Sequence, residues 1–233
     1  RFFTDDVMLR GGNNLSLFCG TRKLWEDSIA TVDFAAYSSI LKASYEKDKK
    51  NFAFLGGRYP TYIYKDKQRN ESSEYDYFGL THWKCTEPMQ KPTWTITDST
   101  RNCMGLDCIM ATTQFKGRKW TAWFAPEIPV SDGPWKLWGL PGLILDAYDE
   151  NHDYEFTAQK IITSSIADVG YMFYTPQSEY NDVSREKFLK EWRKSLTMDR
   201  VSAMKAELGI NLPSSKTRRA PAYEREERTN GSD

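Results

Sequence analysis

The sequence predicts an α+β domain: a mainly antiparallel β-sheet meander, free to curl into an incompletely closed barrel, covered by one or two helices. Three observations lead there. Between Tyr59 and Ile162 short β-branched or aromatic runs are separated by turn residues with no helical segment between them, and strands joined without crossover helices pair antiparallel. On either side lie segments with an apolar stripe of helical period, suited to cover one sheet face. The 233 residues are enough for one sizeable core, and large twisted sheets tend to curl.

Taken in order, VMLRGGNNLSLFCG is a hairpin: two apolar runs flank a Gly-Gly/Asn-Asn turn whose residues accept positive φ. DFAAYSSILKASYEKD predicts a helix over 34–47, with Asp33 as N-cap and Phe34, Tyr37, Leu41 and Tyr45 on one face. The KDKKN run after it reads as a solvated helix end or loop. Strands follow in YPTYIYKDK, FGLTHWKCTE, PTWTITDST, CIMATTQF, RKWTAWFA, LILDAY and YEFTAQKII, with Lys116 to Arg118 and Asp149 to Asp153 as hairpin connections. A second helix begins near Ser184 and places Phe188, Leu189, Trp192 and Leu196 on one stripe, continuing through Val201, Met204 and Leu208 to a Gly209 C-cap. Residues 1–212 are expected to form a single domain, and 213–233, charged and without apolar periodicity, a mobile tail.

Charge and hydropathy exclude some functions. Lys+Arg and Asp+Glu are both 32, so the net charge is +0 and no global field steers the chain to nucleic acid; no nucleic-acid partner is expected. A mean hydropathy of -0.66 and the lack of an apolar run near 18 residues predict no transmembrane segment. The chain starts RFFTDD without Met, which reads as a mature or trimmed product from which any signal peptide is already gone. Cys19, Cys85, Cys103 and Cys108 suit two disulfides in an oxidising compartment. CMGLDC has room for a local Cys103 to Cys108 bridge, leaving Cys19 to Cys85; buried free thiols are the alternative.

Conventional catalytic signatures are missing. His82 and His152 lie in no HExxH motif and beside no cysteine at zinc-finger spacing, so no metal is expected. There is no G-x-S-x-G elbow, EF-hand pattern or phosphate loop, and no cofactor is expected. Cys103 or Cys108 with His82 would make a nucleophile–base pair that disulfide formation abolishes. Glu127, Asp132 and Asp146, with Asp149 and Asp153 in the next turn, would serve acid–base chemistry or calcium if they converged; turn and cap use is the simpler reading. Among the tryptophans, Trp83 and Trp94 fall in or beside the sheet, and Trp120, Trp123, Trp135 and Trp138 are the ligand-binding candidates, with core packing the simpler reading. Trp120 and Trp123 should face opposite sides of a strand, whereas Trp135 and Trp138 sit on an irregular loop and offer a better contact surface.

That loop lies within GRKWTAWFAPEIPVSDGPWKLWGLPGLILDAYD, where Gly133, Pro134, Gly139, Pro141 and Gly142 fix its path. The stretch resembles the GLPGLI family of Bacteroidota. Its signature reads here as Cys108, Gly117-Arg118, the strand Trp120 to Phe124, Glu127-Ile128-Pro129, Gly133-Pro134 and the hexapeptide Gly139, Leu140, Pro141, Gly142, Leu143, Ile144. DDVMLRGGNNLSLFCG with Asp27-Ser28 looks like an early family element, whereas the tail departs from the pattern. The resemblance implies an exported protein with a signal peptide, in the periplasm or associated with the outer membrane, and a TonB-dependent receptor as partner. It implies no reaction. Two expectations follow: a non-enzymatic envelope module that binds peptide, lipid, glycan or a partner protein through the loop, or an exported hydrolase using carboxylates near Glu127 and Asp132.

Overall fold

The structure is a computed structural model that describes residues 4–12, 14–47, 59–78, 81–163, 169 and 179–196. Two compact units make up the chain, Arg1–Pro88 with Val169–Pro221 and Met89–Asp168 with Ala222–Asp233. The single domain expected over residues 1–212 thus becomes an expectation about cooperative unfolding. The charge run at 48–51, the helix continuation past Leu196 and the tail lie outside the described residues.

The α+β class holds, with a β-dominated architecture. The strands form two sheets, and no closed barrel occurs among the described residues. In the first unit β1 (Val7–Gly11), β2 (Leu15–Gly20), β3 (Tyr62–Asp66), β4 (Glu71–Phe78) and β5 (Thr81–Pro88) pair antiparallel in chain order. β11 (Tyr180–Asp182) then adds in parallel to β5. The β1–β2 hairpin is the one expected, closing at Gly11 opposite Ser16.

Alternation gives this sheet two different faces. Leu17, Cys19, Tyr62, Tyr64 and Tyr75 form a buried cluster on one face, against which Leu24 of α1 (Thr21–Val32) packs. On the other, Phe78, Cys85 and Phe188 of α3 (Arg185–Leu196) pack together, with Trp83 and Trp192 at the margin. This second face also buries Ser16, Lys65, Ser72, Glu74 and Asp76. Arg185 donates to Glu74 at 2.6 Å, and Thr61 donates to Asp76 at 3.1 Å, so these carboxylates are matched by donors.

α2 (Phe34–Lys47) spans the predicted residues, and Asp33 Oδ1 accepts the Ala36 amide at 2.9 Å as its cap. Its predicted apolar face is corrected at Phe34, which is 70% exposed. α3 starts beside Ser184 as predicted, with Phe188 and Leu189 buried.

The second unit is a five-stranded antiparallel sheet in the order β10 (Glu155–Thr157), β9 (Leu143–Asp149), β8 (Arg118–Ala125), β7 (Leu106–Phe115), β6 (Thr95–Cys103). It is the meander the sequence predicts. Two tight turns set its register: Lys116 (φ 52) with Gly117 (φ 76), and Met104 (φ 56) with Gly105 (φ 84), each two residues in the left-handed region, as such hairpins require. β6 is the outer strand, mostly exposed, and its pairing with β7 is irregular between Ile96 and Thr100.

Candidate functional site

The loop from Pro126 to Gly142 folds back onto the strands that flank it. The Leu143 amide donates to the Ile128 carbonyl at 3.0 Å and the Ile144 amide to the Asp132 carbonyl at 3.0 Å, so the loop runs beside the start of β9. Three glycines permit this. A Cβ on Gly142 would lie 2.4 Å from the Ala125 carbonyl oxygen, and one on Gly133 would meet Ile144 at 2.8 Å. Gly139 has φ +97, a region other residues resist.

The loop delivers Trp135, Leu137 and Leu140 into the core. Trp135 is 1% exposed and Trp120 0%. Their ring centroids are 5.4 Å apart, with Phe115 5.9 Å from Trp135 and Phe156 6.2 Å from Trp120. This corrects the expectation of a contact surface for Trp135; Trp120, the other buried candidate, takes the core-packing role. Trp123 is also buried and faces the opposite side of β8 from Trp120, as alternation predicts.

Trp138 differs. It is half-buried, its indole N–H donates to the Gln90 carbonyl at 3.1 Å, and its carbonyl accepts from the Trp94 indole at 2.8 Å. The side chain is therefore held at its nitrogen and its backbone at the carbonyl. Pro129 and Pro141 are exposed on the same loop, and so is Val130. Of the four tryptophan candidates, Trp138 is the one that is not buried.

The loop carboxylates have separate tasks. Glu127 is exposed. Asp132 is 0% exposed, and its Oδ1 accepts the Gly133 amide at 2.8 Å, so it supports the loop from inside. Asp146 pairs with Arg101 at 3.0 Å. Asp149 and Asp153 both face Arg118, which is buried; burial disfavours its charge, but the two carboxylates outweigh that and raise its pKa. The hydrolase reading thus loses Asp132 as a partner reachable by water. No group of three or more metal-ligating side chains occurs among the described residues. His82 belongs to the first unit, between Tyr77 and Tyr180 at 4.7 and 5.3 Å; His152 belongs to the second, stacked on Tyr148 and paired with Glu155.

All four cysteines are free. The expected Cys19 to Cys85 bridge is overturned by register: Cys19 lines up across the sheet with Tyr62, Tyr75 and Lys84, one residue short of Cys85. The two thiols therefore lie on opposite faces, three strands or about 14 Å apart, beyond any disulfide. Burial drives the Cys19 thiol up to about 12. The expected Cys103 to Cys108 bridge is not formed either: the two share one sheet face and pack together beside Trp123, but as a diagonal pair, Cys103 opposite Leu106 and Cys108 opposite Arg101.

That face carries a cluster the sequence did not reveal. Arg101 lies opposite Cys108 in the β6–β7 ladder, stacks on Trp123 at 4.3 Å and donates through Nε to the Cys103 sulfur at 3.2 Å. With the Asp146 pair, one guanidinium ties together three strands. The period-2 pattern places Arg101, Cys103 and Cys108 together once the Met104-Gly105 turn is recognised, so the signal was present in CMGLDC.

Residues 39–146 match a family described as "Protein of unknown function (Porph_ging)". Among solved structures the chain is similar to PNGF-II in a C2 space group, at 12% identity and a TM-score of 0.53, over 83% of this chain and 30% of that one. PNGF-II in a P21 space group gives 13% identity and a TM-score of 0.52, over 84% and 31%. The chain thus spans less than a third of PNGF-II, and the likeness is one of fold. No curated protein matches the chain.

Proposed function

We propose that this chain is a non-enzymatic binding or interaction module of the bacterial cell envelope, exported to the periplasm or the outer membrane. The observation that carries the binding reading is Trp138, half-buried and fixed by hydrogen bonds at its indole N–H and its carbonyl. A ring already ordered loses little freedom when a partner covers it, which is how aromatic anchors contribute affinity. The exposed Pro129, Val130 and Pro141 add apolar surface on the same loop. Export rests on the resemblance of Cys108 to Ile144 to the GLPGLI family, which also suggests a TonB-dependent receptor as partner.

The test uses the whole chain, immobilised and offered envelope proteins, peptides, glycans and lipids as separate fractions. One fraction should be retained by the native chain and lost by about tenfold or more in Trp138→Ala, the scale of an aromatic hot spot. Trp25→Ala, on an exposed helical site, is the control and should retain it. Equal retention by both variants would move the binding surface away from the loop, and no retention by the native chain would sink the reading.

A further inference from the structure

The β6–β7 hairpin brings two thiols, one guanidinium and one indole onto a single sheet face. Cys103 is half-buried and reachable at the end of β6; Cys108 is 0% exposed beneath it. The only residues between them are the two of the turn and the first two of β7. Arg101 aims its Nε–H at the Cys103 sulfur, while its guanidinium is steadied by the Trp123 ring and the Asp146 carboxylate. The charged groups beside the pair are Arg101 and Asp146; Asp107 belongs to the opposite face, and Lys160, in the segment whose Ala158 and Ile161 cover the cluster, is exposed.

We propose that Cys103 and Cys108 are a reversible dithiol–disulfide site with an assigned order of attack: Cys103 reacts first with a small-molecule disulfide, Arg101 positions it, and Cys108 resolves the adduct. In the first step the Cys103 thiolate attacks one sulfur of the disulfide. A bond forms to Cys103, the external S–S bond breaks, and the departing thiolate takes a proton from water. In the second step Cys108 gives up its proton and attacks the Cys103 sulfur. The internal bond forms, the mixed disulfide breaks and the second small thiol leaves. The protein is oxidised by two electrons, and the small disulfide is reduced to two thiols.

The asymmetry follows from the surroundings. Cys103 has a cationic donor and access, the conditions that make a thiol reactive. Cys108 has no such access: burial, and then the neighbouring Cys103 thiol, push it up to about 12, against smaller opposing effects of Arg101 and the Cys103 backbone. It enters the reaction only when a leaving group is already in place on Cys103. Oxidation removes the negative charge of the Cys103 thiolate that faces Arg101, which leaves Asp146 and Trp123 to hold the guanidinium.

The experiment treats the folded full chain with oxidised glutathione and follows intact mass after acid quench. The native chain should lose two hydrogens and no glutathione should remain attached. Cys108→Ser should stop at one glutathione on Cys103, and Cys103→Ser should gain none. Arg101→Gln should slow adduct formation in the Cys108→Ser background by about threefold, and Arg101→Lys, which keeps a cation beside the sulfur, should restore most of that rate. An unchanged rate in Arg101→Gln removes Arg101 from the proposal. Equal glutathione uptake by the two cysteine variants, or a native chain that keeps both thiols free while its circular dichroism shows it folded, overturns the site. This test is independent of Trp138, so its failure and that of the binding reading are separable.

Discussion

Replacing Gly142 by alanine adds one methyl group at a place where the backbone leaves no room. The new Cβ would sit 2.4 Å from the Ala125 carbonyl oxygen, 2.7 Å from the Ala125 carbonyl carbon and 3.0 Å from a Phe124 ring carbon. Neither backbone atom is free to move alone, since Ala125 pairs with Leu143 and its carbonyl accepts the Ile128 amide at 3.1 Å. The β8 end and the loop must shift together. Overpacking of this kind costs about 1–3 kcal/mol, and a backbone neighbour places it at the upper end, about 3 kcal/mol. At about 2–4 °C per kcal/mol for a chain of this size, Tm should fall by roughly 6–12 °C. Two other glycines divide the effect into its causes. Gly105 has φ +84 with nothing within 4 Å of a Cβ, so Gly105→Ala reports the left-handed backbone alone, about 1–2 kcal/mol. Gly139→Ala adds to that only the Lys91 side chain, which can swing aside. Scanning calorimetry with matched urea titrations should rank Gly142→Ala as the most damaging. If Gly142→Ala melted with the native chain, the claim that the hexapeptide is built around a backbone contact would fall.

Trp120→Ala and Trp135→Ala should each cost about 3–5 kcal/mol in urea unfolding, and Trp138→Ala under about 1 kcal/mol; similar losses for all three would contradict the division between core and surface rings. Arg118→Met leaves Asp149 buried without its cation and should cost about 3–5 kcal/mol, part of which Arg118→Met with Asp149→Leu should restore; additivity in that cycle would argue against coupling. The His82 pKa is lowered, by burial first and then by Lys23, so protonation favours the unfolded chain. Its contribution to stability is complete above the unfolded value near 6.5 and declines as pH falls from there through the lower folded value. His82→Gln should flatten that part of the stability profile, measured by urea midpoints from pH 7 to pH 5. The whole chain should unfold in one calorimetric transition, as a single domain would; two resolved peaks would show that the compact units melt independently.

The legible part of the fold followed elementary signals. The 34–47 helix was visible because Asp33 precedes a helical stripe, and the β7–β8 hairpin because Lys116-Gly117 joins two aromatic runs. β4 was missed because ESSEYDYF mixes tyrosines with residues normally solvated; its Glu74 and Asp76 are buried against Arg185 and Thr61, information that resides in other parts of the chain. α1 was missed because it lacks the usual start: Gly20 makes no side-chain cap bond and its first turn carries no acidic residue. At the site, the glycines of the loop announced a constrained path, but not its direction. Trp135 was read as a surface residue because it sits between turn formers, whereas the turn exists to carry it inward, at φ 50 and 1% exposed. The Cys19 to Cys85 pairing failed because elimination knows nothing of strand parity.

The outer strand β6 has a consequence for how these molecules share solution. Its outer edge, which no described strand pairs, is a row of backbone donors and acceptors, the template on which a second chain would add a strand. The sequence TITDSTRNC places Asp98 and Arg101 on that edge strand, and the irregularity between Ile96 and Thr100 breaks the straight run such an addition needs. Protection against fibril-like stacking is thereby entrusted to a few polar residues on the strand that also holds the guanidinium of the thiol cluster. The same nine residues carry this edge and two members of the proposed thiol site, Arg101 and Cys103, so a substitution made for solubility there will also be read by the thiol assay.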